Sequence, residues 1–337
     1  MTPSAPSIGA FLWLLVILFS LMLYVVLDGY DLGVGVLLLF ERDDTRGKEM
    51  MELIATSWDG NESWLVLVGM GLFAGFPPAY STLLPALYVP VILMLLALIF
   101  RGVSFEFQAQ ARGYRRGWGR AFAVGSLVAV FCQGVIFGSL VDGIPVTGGH
   151  FSGTPFGFLQ GFSLLTGVLF VCLYSLTGAS WLNDKTVGAL AARAKQQGRI
   201  LVVVVAMLLV VTMILAPLSS PVFARTLNMQ LFFVIGATFL ALVSLLITWY
   251  SLKYLNNVIP FLFAVCPLVL ALLSLLVINY PYLVPPSVTI WQAASPSLTV
   301  DFLLIAVFFC IPIVLGYNAF AYYVFRGKFT LPEQRKV

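Results

Sequence analysis

The 337-residue chain is 61% hydrophobic and 9% charged, with a formal net charge of +4, against roughly 45–50% apolar and about 25% charged residues in soluble domains. With a mean hydropathy of +1.01, that excludes a soluble enzyme, a disordered chain and a nucleic-acid-binding domain. The 18 basic residues are spread too thinly for a nucleic-acid footprint and read instead as orientation signals in a membrane.

Crossing about 30 Å of hydrocarbon takes roughly 20 apolar residues. Nine runs qualify, at about 8–39, 53–75, 79–100, 121–141, 157–180, 200–218, 229–250, 258–279 and 301–325. The first is longer than one crossing needs and contains Asp28 and Asp31, so it is expected to tilt, project from the bilayer or lie among other helices. No basic segment precedes it and no small-residue cleavage site follows, so it reads as a retained helix and not a signal peptide. The second run holds Asp59, Asn61, Glu62, Ser63 and Trp64 near its start. A continuous helix from Lys48 would carry Asp59 about 16 Å into the bilayer. The third closes on Arg101, with Glu106 just beyond. Connections on the other side are Pro- and Gly-rich and nearly uncharged, as at Phe76-Pro77-Pro78, 142–156 and 281–286.

Basic residues fall in connection 40–52 (Arg42, Arg46, Lys48), in 101–120 (Arg101, Arg112, Arg115, Arg116, Arg120), in 181–199 (Lys185, Arg193, Lys195, Arg199), in 251–257 (Lys253) and in the tail (Arg326, Lys328, Arg335, Lys336). In a nine-span chain all of these lie on one side, and only Arg225 lies opposite. The positive-inside rule then sets the N-terminus outside and the C-terminus in the cytoplasm. An eight-span chain would put the basic tail outside. The expectation is an all-α integral membrane protein with nine transmembrane helices and no separate soluble domain. The spans group as four, four and one: 1–141, 142–280, and 281–337 with the outer connection, the ninth helix and the basic tail.

Ionisable groups inside spans are costly and face a bundle interior, a partner or water. Asp28 and Asp31 share one helix face, as do Asp59 and Glu62. Together with Asn61 and Ser63 they are the groups from which a proton-conducting line is built. They equally suit a packing role, paired with Arg101 or with a partner's cation. Gly29, Gly33, Gly35 and Gly60 permit close helix approach and fit that second reading. Arg101 reads either as an anchor snorkelling at a helix end or as the counter-ion of the carboxylates. Trp64, deeper than the other tryptophans, can line a pocket or pack.

Cys132, Cys172, Cys266 and Cys310 are far apart in apolar runs and read as small core hydrophobes, not a metal site or disulfide framework. His150 is the only histidine, and it lies in a Gly-rich connection. A bis-His haem needs more imidazoles, and Fe–S clusters need clustered thiolates. No catalytic, cofactor-binding or metal-binding residue is therefore expected in this chain, and any redox cofactor is expected on another chain.

The segment Asp28-Gly29-Tyr30-Asp31-Leu32-Gly33-Val34-Gly35 resembles the first-helix signature of subunit II of the cytochrome bd-type quinol oxidases. Trp58-Asp59-Gly60-Asn61-Glu62-Ser63-Trp64-Leu65 resembles its second signature, Phe100-Arg101-Gly102-Val103-Ser104-Phe105-Glu106 its third, and 285–295, with Trp291 and Gln292, a fourth. The motifs fall in order, and the resemblance covers nearly the whole chain. Its short length resembles the cyanide-insensitive branch. The resemblance implies two four-helix bundles plus a peripheral helix in a bacterial plasma (inner) membrane. It implies a haem-bearing partner, subunit I, that holds haems b558, b595 and d, oxidises quinol and reduces dioxygen to water. It implies a supporting role for this chain and a cytoplasmic proton route through Asp59. Some members also hold a structural quinone, lead oxygen past the tryptophan matching Trp64, or add small single-span subunits. Three positions depart from the pattern: Glu62 stands where Gln is common, Gly102 where Pro is common and Gln292 where Asp is common. The competing classes are a secondary transporter with a midplane carboxylate site and a purely structural scaffold subunit. No matched pair of interrupted helices supports the transporter.

Overall fold

Ser7 starts the first helix: its side chain accepts a hydrogen bond from the Ala10 N–H at 3.2 Å, satisfying one of the free donors at a helix start. From there the computed structural model is almost wholly helical; it describes residues 7–55, 57–110, 115–219, 228–324 and 327–329. The helices are α1 (Ile8–Leu38), α2 (Asp44–Ile54), α3 (Trp58–Gly75), α4 (Pro77–Ala86), α5 (Tyr88–Gln110), α6 (Arg115–Asp142), α7 (Gly161–Lys185), α8 (Gly188–Ser219), α9 (Asn228–Tyr254), α10 (Ile259–Asn279), α11 (Ile290–Ala293) and α12 (Ser297–Val324). Eight of them, α1, α5 to α10 and α12, are long and apolar enough to cross a membrane.

The expected second and third spans are each divided. Asp43 caps α2 by accepting from the Thr45 and Arg46 N–H groups at 2.9 and 3.0 Å. That makes α2 a separate amphipathic helix, which buries Glu49, Met50, Met51 and Ile54. The chain turns between Ile54 and Trp58, so no continuous helix links Lys48 to Asp59, and Asp59 stands in the first turn of α3. The first two turns of α3 are polar, and its apolar stretch is correspondingly short. The third span breaks at Leu87, whose ψ of 15° leaves the helical range. Pro90 explains the break, since its ring excludes the carbonyl four residues earlier and it lacks an N–H. Helix α5 then runs well past the expected end at residue 100, which puts Arg101 mid-helix.

Two short ribbons lie at one end of the bundle. Val146–Thr147 (β1) pairs with His150–Phe151 (β2) around Gly148-Gly149. Both glycines have positive φ, which a two-residue hairpin of this kind requires. Tyr282–Val284 (β3) pairs with Val288–Thr289 (β4), and Thr289 with Gln292 forms a capping box on α11. That gives Gln292 a local structural use.

The long-range hydrogen bonds sort the connections into two ends. At one end Arg193 bonds Glu41 and the Phe40 carbonyl, Asn183 bonds the Leu255 carbonyl, and Lys328 bonds the Asn256 carbonyl. At the other end Ser295 bonds the Gly75 and Ala74 carbonyls, Ile144 bonds Pro285, and Gln230 bonds Val277. The described parts of the basic connections thus gather at one end. Arg112, Arg225, Arg326, Arg335 and Lys336 lie outside the described residues.

Helix α1 is the axis of this arrangement, packed against α3, α6, α7 and α12. It touches α7 backbone to backbone. A side chain at Gly33 would collide with the Tyr174 carbonyl, and one at Gly178 would collide with Gly33. The small residues of the Asp28–Gly35 segment are what permit this depth of approach.

Candidate functional site

The close approach of α1 to its neighbours places Asp28 and Asp31 in the interior, both 0% exposed. They lie about 15 and 10 Å from the end of α1 at Leu38, at 1.5 Å per residue. Arg101, also 0% exposed, reaches Asp28 from α5: its Nη1 donates to Oδ1 at 3.0 Å. The guanidinium sits over the Phe122 ring, 5.5 Å from its centre. Arg101 therefore does not snorkel; it is a buried counter-ion. Asp28 Oδ2, Asp31 Oδ1 and Arg101 Nε and Nη2 have no hydrogen-bond partner among the described residues.

Asp31 is held by α3. Asn61 Nδ2 donates to Asp31 Oδ2 at 2.7 Å and to the Leu27 carbonyl at 3.2 Å. The other face of Asn61 accepts from the Tyr322 hydroxyl at 3.1 Å, and Tyr322 meets the Tyr30 hydroxyl at 2.7 Å. Tyr30 also meets Ser57 at 3.2 Å and stacks on Trp181. Residues of α1, α3 and α12 thus close one polar knot around a buried carboxylate.

The remaining candidate residues of α3 are graded by burial. Asp59 is exposed, Glu62 is half-buried, and Asn61 is buried. Glu62 lies within electrostatic reach of Asp28, Arg101 and Asp59. Ser63 is exposed and donates to the Asp59 carbonyl at 3.0 Å, so its hydroxyl serves its own helix and not the interior.

Glu106 does not join the cluster. It is exposed, because five residues along α5 turn it about 140° away from Arg101. Trp64 is 2% exposed and packs in the core, edge-on to Phe19 with ring centres 6.3 Å apart.

Four participants are not visible as such in the sequence. Gln133 on α6 donates to the Tyr24 hydroxyl at 2.7 Å and accepts from the Tyr174 hydroxyl at 2.9 Å, and Tyr322 completes the knot on α12. A glutamine in an apolar run is a usable signal for the first. The tyrosines carry none, because the composition groups them with the hydrophobic residues.

No group of three His, Cys, Asp or Glu suited to a metal occurs among the described residues. His150 is exposed on β2, away from the helical interior. What the cluster offers is a set of exchangeable protons: an exposed carboxylate, a half-buried one, and two buried ones fixed by an arginine and an amide.

Comparison with known proteins gives concordant results. Residues 10–325 match the family described as cytochrome bd terminal oxidase subunit II. The chain is 29% identical to the cytochrome bd-I ubiquinol oxidase subunit 2 of Escherichia coli (strain K12), over 95% of both chains. It is 25% identical to the cytochrome bd ubiquinol oxidase subunit 2 of Bacillus subtilis (strain 168), over 96% of this chain and 97% of that one. The fold superposes on a chain of the bd oxidase structure from Geobacillus thermodenitrificans with a TM-score of 0.78, at 15% identity, covering 95% of this chain and all of that one.

Proposed function

Because this chain belongs to the cytochrome bd terminal oxidase subunit II family, we propose that its α1–α3–α5 cluster carries protons from the basic end of the molecule toward a haem-bearing subunit I. Family membership makes it a subunit of a quinol oxidase complex, an oxidoreductase, and a multi-pass protein of the bacterial inner membrane. It also displaces the transporter reading. The finer reading is ours. The chain binds no haem, and haems b558, b595 and d reside in subunit I. Helix α3 serves as a ninth span despite its polar start. The two ends of that nine-span chain lie outside (N-terminus) and in the cytoplasm (C-terminus). Residues 1–141 and 142–280 form the two four-helix bundles. Oxygen led past Trp64 or a structural quinone held in contact with it, and small single-span subunits, belong to the same proposal.

One observation carries the proton reading: the burial gradient from exposed Asp59 through half-buried Glu62 to the fully buried Asp28 and Asp31. A structural scaffold needs the Asp28–Arg101 pair but has no use for the two outer carboxylates. Asp59→Asn keeps the shape and removes the exchangeable proton. Oxygen consumption by the purified complex should fall while haem content stays normal, and Asp59→Glu should restore part of the rate. Glu62 provides a second entry. The double change Asp59→Asn with Glu62→Gln should therefore be slower than either alone, by roughly 100-fold against the native complex. Haem loss in parallel with activity would assign these residues to structure instead. A normal rate in the double variant would send protons elsewhere.

A further inference from the structure

Helices α8 and α9 run antiparallel, and a cavity of about 600 Å³ opens between them toward the basic end, lined by Lys195, Arg199, Trp249 and Lys253 among others. The sequence builds this site by periodicity. Lys195 and Arg199 lie four apart on α8, as do Trp249 and Lys253 on α9, so each pair projects from one helix face. Because the two helices are antiparallel, all three cations fall at the same end of the cleft. Farther along the same face of α8 the lining becomes Ile200, Val203 and Val204.

The charges in the cleft are not neutralised, although Lys253 also lies over the Tyr254 ring, 5.0 Å from its centre. No carboxylate lines it, and none of the three cations has an ion pair among the described residues. Arg199 instead lies over the Trp249 ring, 4.6 Å from its centre, and its Nε is buried with no partner. An arginine fixed by an aromatic face keeps its N–H fork for a planar or tetrahedral oxyanion. The apolar side of the cleft is open: Ile200 and Val203 are 58% and 51% exposed.

We propose that the α8–α9 cleft binds an anionic glycerophospholipid, its phosphodiester held by Lys195, Arg199 and Lys253 and one acyl chain laid along Ile200, Val203 and Val204. Charge complementarity selects an anion. The sequence of cations, then an indole, then aliphatic side chains matches the headgroup, interface and tail of a lipid. A soluble phosphate would use only the first of these. The site is separate from the carboxylate cluster, and it does not depend on the proton reading.

The test uses the purified complex in detergent, depleted of lipid. Phosphatidylglycerol, phosphatidylcholine and inorganic phosphate are added separately, with bound lipid read by native mass spectrometry and subunit ratio read in the same spectra. Phosphatidylglycerol should be retained and should raise the thermal midpoint, while the other two leave both unchanged. Each basic residue neutralised should weaken retention about fivefold, and the triple variant Lys195→Gln, Arg199→Gln, Lys253→Gln roughly a hundredfold. Lys48→Gln, a surface change outside the cleft, should have no effect. Undiminished retention in the triple variant overturns the proposal. So does equal binding of phosphatidylcholine, or a phosphate effect as large as that of phosphatidylglycerol. Loss of the partner subunit with lipid retention unchanged would make the cleft a protein contact and also overturn it. If the triple variant fails to assemble, the comparison of the three additives on the native complex and on Arg199→Gln alone decides the matter.

Discussion

Asp28 and Arg101 form an ion pair that water does not reach. Removing one member of such a pair strands the other charge, at about 3–5 kcal/mol. Arg101→Met should therefore lower the thermal midpoint of the complex sharply. Asp28→Asn combined with Arg101→Met should cost less than the two single changes added together. A double-mutant cycle on thermal unfolding measures that difference, and additive effects would mean the pair is not coupled. The carboxylates of the cluster are legible in the sequence, because an Asp inside an apolar run is too costly to persist unless something pairs with it or uses it. Their partners are less so. Asn61 contacts Asp31 from 30 residues away and Tyr322 contacts Asn61 from 261, and no local spacing reveals such pairings. Glu106 departs from the expected cluster for a simpler reason: nearness to Arg101 along the chain is not nearness in space.

Hydropathy locates most of the long helices, and its errors have local causes. Residues 57–63 are too polar to continue a helix out of α2, and Pro90 interrupts the run from 79 to 100. What hydropathy cannot supply is how closely helices approach, which here depends on glycines. Gly33 faces the Tyr174 carbonyl of α7 with no space for a side chain, whereas Gly236 on α9 has nothing within 4 Å of the corresponding position. Gly33→Leu should force α1 and α7 apart and destabilise the complex by about 1–3 kcal/mol or more. Gly236→Ala should be nearly neutral. Thermal melts of the two variants side by side give the comparison, and equal effects would remove the crossing from its proposed importance.

The basic end of the molecule is fastened at Glu41, outside the spans. Its carboxylate accepts from Arg46 at 2.9 Å and lies 3.4 Å from Arg193 of α8, joining the exit of α1 to α2 and to the start of α8. Burial works against its charge, but hydrogen bonds from Arg46 and from the Asp43 and Arg42 N–H groups, with Arg193 nearby, outweigh it and hold the carboxyl below the ordinary glutamate range. A lowered folded value means that the clasp contributes stability above the unfolded value of about 4.3 and loses it as pH falls through the folded one. The thermal midpoints of the native complex and Glu41→Gln should therefore differ at pH 7 and draw together as pH falls below the unfolded value of about 4.3 and through the lower folded one. A constant difference across that range would assign Glu41 a role without charge. The other fastening is α12, which buries only Val300 and Asn318 along its length yet supplies the hydroxyl that completes the polar knot. At roughly 5–20 residues per second, Tyr322 leaves the ribosome some tens of seconds after Asn61. Throughout that interval the membrane holds a growing chain whose amide has yet to meet its last hydroxyl. A chain broken off before α12 would leave the Asn61 side-chain oxygen without the Tyr322 hydroxyl, so the polar centre is complete only once nearly the whole chain has been made.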